Sequence, residues 1–162
     1  MNELIKNISS YNIFNNFLPG VIFCALVESF FSIKIASSDI VSNVFYYYFI
    51  GVVIGRIGSL IIQPLFVRGK LVSMETYARY IEATKKDSKI EILSETNNMY
   101  RTILSTIICL LFFSGFNSAC AHVELINEYK FQIIIISLIV VFVFSYKKQT
   151  KFITERINKA LS

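Results

Sequence analysis

Four long apolar stretches alternate with polar segments along the chain. They cover residues 17–36, 41–67, 102–121 and 131–146. Each stretch is close to the ~20 residues that an α-helix needs to cross the hydrocarbon core of a bilayer. Pro19 fits the first turn of the first stretch, where its missing amide hydrogen costs nothing. The pattern predicts an all-α membrane protein with four transmembrane helices, in a single transmembrane domain that covers residues 1–162.

Basic residues are concentrated in the two longest polar segments, which predicts the orientation. The central loop 68–100 and the tail 147–162 hold most of the lysines and arginines, whereas the other connections hold Asp39, Glu124 and Glu128. With four spans, the two basic segments share one side of the membrane, and the positive-inside rule makes this side cytoplasmic. The abundance of Asn, Ile, Lys, Tyr and Phe is typical of an AT-rich bacterial genome. We therefore expect a multi-pass protein of the bacterial inner membrane with both termini in the cytoplasm.

The central loop is predicted to form a cytoplasmic helical hairpin between spans 2 and 3. Two acid–base pairs at four-residue spacing favour an exposed helix, and a Ser–Glu capping box favours a second helix that continues into the third span. The acid–base pairs are Glu75 with Arg79 and Glu82 with Lys86, and the capping box is Ser88 with Glu91. At the N-terminus, helical spacing predicts a short helix on the inner leaflet, and its apolar residues are Leu4, Ile5, Ile8 and Tyr11.

Composition supports the membrane assignment and narrows the choice of partners. Apolar residues make up 54% of the chain, charged residues only 17%, and the net charge is +5. A soluble domain has about a quarter of its residues charged. No nucleic-acid motif is present, so we expect no direct nucleic-acid binding and attribute the positive charge to anionic inner-leaflet lipids or a cytoplasmic protein partner. The candidate contact residues are Arg79, Lys85, Lys86, Lys147, Lys148, Lys151 and Arg156.

Two charged residues lie inside the predicted spans. Glu28 and Arg56 each lie about 11 residues from the expected cytoplasmic end of their helix, or roughly 16 Å deep at 1.5 Å per residue. An unpaired ion at that depth costs at least ~2.5–3.5 kcal/mol. We therefore predict an intramembrane ion pair between Glu28 and Arg56, which either pins the register of two helices or acts as a gate, proton site or switch.

Small and polar residues in the second and third spans suggest helix contacts. Gly51, Gly55 and Gly58 share one face of the second span, and they favour close packing within one subunit or assembly of several subunits. Polar residues between Ser114 and Cys120 fit a water-filled path or a small-residue packing surface. Pro64 predicts a kink in the second span.

The sequence contains none of the usual arrangements of catalytic residues. Its one histidine, His122, lies at the outer membrane edge, and no phosphate-binding loop, metal motif or pair of acids accompanies it. The three cysteines have neither metal-ligand spacing nor the even number of a disulfide framework. We expect a protein that is not an enzyme and that has no metal or other cofactor.

The span count, the small size and the basic cytoplasmic elements resemble small four-span membrane subunits of bacterial phage-defence systems, in particular the Kiwa-type membrane subunit. No diagnostic motif carries the resemblance, so it assigns no residue roles. It implies a membrane sensor that forms homo-oligomers and holds a cytoplasmic partner. The leading hypothesis is an oligomeric membrane sensor or scaffold that recruits such a partner, in phage defence. The alternatives are an oligomeric pore-forming or membrane-perturbing effector and, third, a small transporter.

Overall fold

The computed structural model describes residues 13–161, apart from the side chain of Phe14. The N-terminal stretch that was expected on the inner leaflet lies outside the described residues. Within them, six α-helices and two π-helical turns account for nearly all of the chain. The helices are α1 (Leu18–Phe31), α2 (Ile40–Ile57), α3 (Gln63–Arg68), α4 (Tyr77–Lys86), α5 (Lys89–His122) and α6 (Glu124–Leu161).

Three of these helical stretches are long and apolar enough to cross a membrane. They are Ile40–Arg68, which joins α2 to α3, and then α5 and α6. Within the described residues this confirms a helical fold in which three of the predicted spans are helices that could cross a membrane by length and composition. The first stretch forms a shorter apolar helix, Asn15–Phe31, and its role as a fourth span stays a prediction.

Each of the two prolines follows a π-helical turn. The turn Ile13–Phe17 precedes Pro19, and the turn Gly58–Ile62 precedes Pro64. Proline has no N–H for the carbonyl four residues earlier, and its ring clashes with that carbonyl, so a wider turn is one way for the helix to continue. The irregularity expected at Pro64 is therefore present, and it lies in the turn just before the proline.

Helices α1 and α2 approach closely where two glycines face each other. A Cβ added at Gly20 would overlap the carbonyl of Tyr47, and one added at Gly51 would overlap the carbonyl of Asn16. Phe113 of α5 makes edge-to-face contacts with Phe23 and Phe31 of α1, with ring centroids 5.9 and 5.3 Å apart. The close crossing fixes the relative height of α1 and α2, and this determines which charged residues can meet.

The connection between α1 and α2 is held by two carboxylates. Glu28 Oε1 accepts hydrogen bonds from the backbone N–H groups of Ile35 and Ala36, at 2.7 and 2.6 Å. Asp39 caps α2 by accepting from the N–H groups of Val41 and Ser42. The second set of bonds is a helix N-cap, which satisfies amide groups that have no partner inside the helix.

The central loop folds as α4 followed by the beginning of α5. Glu75 bonds Arg79 at 2.8 Å, and Glu82 lies 3.7 Å from Lys86, so both predicted pairs form. The capping-box prediction was right about the helix start and wrong about the cap. Helix α5 begins after Ser88, but the Ser88 side chain makes no capping hydrogen bond. Asp87 Oδ1 instead accepts from the N–H of Lys89 at 2.9 Å.

Helix α4 packs on the end of α6 as well as beside α5. The rings of Tyr77 and Phe152 stack with centroids 4.6 Å apart, and Lys159 lies 3.4 Å from Glu82. These contacts join α4 to the tail, so a hairpin made of α4 and α5 alone does not describe the packing, and the hairpin stays a prediction. We call residues 63–100 and 147–161 together the helical extension.

Candidate functional site

Three helices carry an uncharged stretch that ends in a basic residue. The stretches are 40–55 in α2, 102–121 in α5 and 131–146 in α6, and the basic residues at one end are Arg56, Arg101 and Lys147–Lys148. At 1.5 Å per residue the stretches are about 24, 30 and 24 Å long, close to the ~30 Å hydrocarbon core of a bilayer. The lengths place Arg101 and Lys147–Lys148 at one boundary of the apolar zone, whereas the uncharged run of the second helical stretch continues beyond Arg56 through residues 57–67.

The structure brings these basic ends together. The Lys148 ammonium is half-buried, and it donates hydrogen bonds to the carbonyl and the hydroxyl of Ser59, at 2.8 and 2.7 Å. The Arg101 guanidinium donates to Oε1 of Gln63 at 2.8 Å. Arg101, and Arg56 with its exposed side chain, lie close enough for their charges to act on Lys148. We call Arg56, Arg101 and Lys148 the cationic cluster.

The hydrogen-bond partner of the Lys148 ammonium is the uncharged Ser59. Among the described residues, no carboxylate lies in ion-pair contact with Arg56 or Lys148. Arg56 and Lys148 carry like charges, which repel each other. This arrangement attracts an anionic group to the same boundary.

The ion pair predicted between Glu28 and Arg56 does not form. The Glu28 carboxylate binds the amides of Ile35 and Ala36 instead. The prediction assumed that the start of α1 is level with the end of the second helical stretch near Val67, whereas the Gly20–Gly51 crossing places it level with the middle of that stretch. Glu28 and Arg56 then lie on the order of 20 Å apart along the helix axes.

The three glycines of the second stretch face elements of the same chain. Gly51 meets the Asn16 backbone, Gly55 lies near the Asn15 carbonyl, and Gly58 faces Ser105 on α5. Thr102, Ser105 and Thr106 of α5 are buried there, with their hydroxyls bonded to carbonyls four residues earlier. The glycine face therefore packs within one subunit, and its role in oligomerisation stays a prediction.

The other predicted contact residues lie on the helical extension. Arg79 pairs with Glu75, which lies just before α4, Lys86 pairs with Glu82 on α4, and Lys151 lies 3.7 Å from Glu155. Lys85, Lys147 and Arg156 are exposed. The sequence analysis named Lys148 as a candidate contact residue. It did not predict that Ser59 and Arg101 belong to the same site. The position of each basic residue at the end of an uncharged stretch could have indicated the cluster.

The helical extension also exposes apolar side chains. Ile92 and Leu93 on α5 are 63% and 67% exposed, and Leu71 before α4 is 71% exposed. Nearby, a groove of about 220 Å³ has three walls. They are α3, the segment that precedes α4, and helix α5. The apolar lining of the groove includes Ile62, Phe66 and Leu104. Ile92 and Leu93 lie roughly 12–14 Å from Arg101 along α5, on the side away from the uncharged stretch.

A comparison with protein-family models, curated proteins and solved structures finds no match to this chain. Function is therefore inferred from the geometry of the described residues.

Proposed function

We propose that this chain is a non-enzymatic inner-membrane scaffold or sensor that recruits a cytoplasmic protein through its helical extension. The observation that carries the proposal is the set of exposed apolar side chains beyond the cationic cluster, above all Ile92 and Leu93. Apolar side chains next to lipid need no explanation, but a cluster of them on the water side marks a contact surface.

The proposed topology has four spans with the basic end in the cytoplasm. Residues 13–31 cover about 28 Å as a helix, which is enough to serve as the fourth span. The cationic cluster supports the orientation because basic residues favour the cytoplasmic boundary. In this orientation the helical extension, which includes the tail, lies inside the cell. The turn at Asp39 lies outside.

The cationic cluster is proposed to bind the phosphate of anionic inner-leaflet lipids. Its height at the end of the uncharged stretches is the height of lipid headgroups, and a basic residue near an anionic surface contributes about 1 kcal/mol of attraction. Lipid bound there would neutralise the mutual repulsion of Arg56 and Lys148. This contact ties the sensor to the lipid composition of its own membrane.

Affinity purification from native membranes tests the scaffold proposal. The full-length chain is expected to retain a soluble protein, and Leu93→Glu should reduce its recovery at least tenfold because a charge replaces an exposed apolar contact. Thr96→Glu, which adds the same charge to an exposed polar position one turn away, is the matched control. Absence of any soluble protein with the wild-type chain, or equal recovery with Leu93→Glu and Thr96→Glu, would refute the proposal.

The resemblance to phage-defence subunits extends the proposal to antiviral defence. Cells that carry the chain together with its neighbouring genes are expected to plate fewer plaques than cells that carry the Leu93→Glu variant. Equal plaque counts across a broad phage panel would exclude this role and leave the scaffold proposal standing.

An oligomeric pore is the second candidate, favoured by one observation on α5. Asn117 and Ser118 are exposed within the uncharged stretch of α5, and Gly115 beside them has no neighbour within 4 Å of an added Cβ. An amide exposed to lipid is costly, whereas one that lines water is not. Dye or ion leakage from vesicles that contain the purified chain, reduced by Asn117→Leu, would favour the pore. Intact vesicles would exclude it.

A further inference from the structure

Helix α6 has one face that packs on the rest of the chain. The covered residues recur at alternating three- and four-residue spacing: Leu138, Val141, Ser145, Lys148, Phe152, Glu155 and Lys159. This spacing averages 3.5 residues, which is the repeat of a helix packed along another helix. The face includes Ser145, Lys148 and the ring of Phe152 on Tyr77, so the contact continues from the uncharged stretch into the helical extension.

A second face of α6 has the same repeat and is uncovered. Its residues are Ile136, Ile139, Val143, Tyr146, Thr150, Ile153, Ile157 and Ala160, all exposed. We call this set the outer seam. With 3.5 residues per turn it lies about 150° around the helix from the packed face. Only 6% of the most apolar window of α6 is buried within the chain, so the outer seam belongs to a largely uncovered helix.

Lipid can cover only part of the outer seam. Helix α6 runs unbroken from Glu124 to Leu161 and contains neither glycine nor proline. A straight helix cannot turn to lie on the bilayer surface, so Ile153 and Ile157 lie roughly 10–17 Å beyond Tyr146 along the axis. Both are 52% exposed. A second protein chain is the cover that fits both residues.

The continuity of the outer seam identifies that chain. The repeat does not change phase between Ile136, within the uncharged stretch, and Ala160, near the end of the helix. A soluble partner could cover only the last two turns, whereas a neighbouring helix of equal length and direction covers the whole seam. The parallel α6 of a second copy has that length, that direction and an identical seam.

The charges beside the outer seam permit this pairing. In a parallel pair, the flanking residues that meet lie five positions apart. They are Phe142 with Lys147, Gln149 with Thr154, and Arg156 with Leu161. None of these pairs joins two like charges, whereas the other basic residues of the tail, Lys148, Lys151 and Lys159, lie off the seam.

We propose that two copies of this chain associate through the outer seam of α6, in parallel, from the membrane into the helical extension. The proposal goes beyond the proposed function: it gives the homo-oligomer expected from the sequence a contact between subunits, in place of the glycine face, which is occupied within the chain. Recruitment of a cytoplasmic partner does not depend on it, because Ile92 and Leu93 lie on α5.

Cysteine crosslinking of the full chain in native membranes tests the proposal. Under mild oxidation, Ile153→Cys and Ile157→Cys are expected to form disulfide dimers at least fivefold more than Asn158→Cys, which is exposed but off the seam. The native chain, with Cys24, Cys109 and Cys120, gives the background. Dimers from Asn158→Cys equal to those from Ile157→Cys, or no dimers above background at either seam position, would overturn the proposal.

The mass of the purified chain in detergent provides a second readout. Ile153→Glu with Ile157→Glu is expected to shift dimers to monomers, whereas Asn158→Glu is expected to leave the dimers intact. A wild-type chain that is monomeric, or a seam variant as dimeric as the control, would refute self-association through α6. Partner recovery measured on the same samples keeps a failure of this proposal distinct from a failure of the scaffold.

Discussion

The Gly20–Gly51 crossing predicts that a single methyl group at Gly51 destabilises the protein. In Gly51→Ala, the added Cβ would lie 2.6 Å from the carbonyl carbon of Asn16, whereas ordinary contacts begin at 3.4 Å. The obstacle is backbone, which cannot rotate away as a side chain can, so α1 and α2 must move apart by on the order of 1 Å. Overpacking of this kind costs about 1–3 kcal/mol, and a backbone obstacle falls in the upper half of that range.

Gly115→Ala is the matched control for this substitution. Both glycines lie within helices, so both variants gain the same helix propensity of about 1 kcal/mol. A Cβ at Gly115 meets nothing within 4 Å. The difference between the variants therefore isolates the overlap at Gly51, at about 2–3 kcal/mol. For a chain of this length that corresponds to a difference in Tm of about 4–12 °C.

The assay is a thermal melt in detergent with a dye that becomes fluorescent when it reacts with a thiol. Cys24 on α1 is only 1% exposed, so its reaction reports separation of α1 from the bundle. Gly58→Ala should fall between the other two variants, because its obstacle is the side chain of Ser105. A Gly51→Ala protein that melts within about 1 °C of Gly115→Ala would refute the close crossing, since the expected gap is several times larger.

Three further predictions concern single polar contacts. Asp39→Ala should lower the free energy of unfolding by about 1 kcal/mol, measured by the same melt, and Asp39→Ser should restore most of it because serine also caps helices. Ser59→Ala should cost about 1.5–3 kcal/mol by removing the hydroxyl that accepts from Lys148, whereas Ser29→Ala, at an exposed position, should cost nothing measurable. The ion pair with Lys159, helped by Lys86, lowers the pKa of Glu82 below its ordinary value of 4.5. Docking of α4 on α6 is therefore strongest above pH 4.5 and weakens as pH falls through the lowered pKa. Spin labels on α4 and α6 should separate in acid, and Glu82→Gln should abolish that pH dependence.

The sequence allowed a good prediction of where helices run, because apolar length and charge placement depend on local composition. The uncharged stretches of α5 and α6 and the pairs Glu75–Arg79 and Glu82–Lys86 follow directly from spacing along one helix. Pro64 also indicated a local irregularity, since its missing N–H acts within its own helix. Features that one helix determines by itself were therefore accessible.

Features that depend on the relative height of two helices were not accessible. The expected Glu28–Arg56 pair failed because the height of α1 against α2 depends on which glycines meet, and Gly20 carried no distinguishing pattern in the sequence. The cationic cluster was missed for a related reason. Ser59, Arg101 and Lys148 come from three helices, and only their packing shows that Lys148 reaches Ser59 rather than water.

The unbroken course of α6 has a mechanical consequence. From Lys148 to Leu161 the helix forms a rigid arm of about 20 Å that contains no hinge residue. A 10° change in its tilt within the bilayer would move its far end sideways by roughly 3–4 Å, and α4, held by Tyr77 and Glu82, would move with it. A small change in membrane thickness or tension would thus be amplified into a displacement comparable to the width of a side chain, at the end where a soluble protein could sense it.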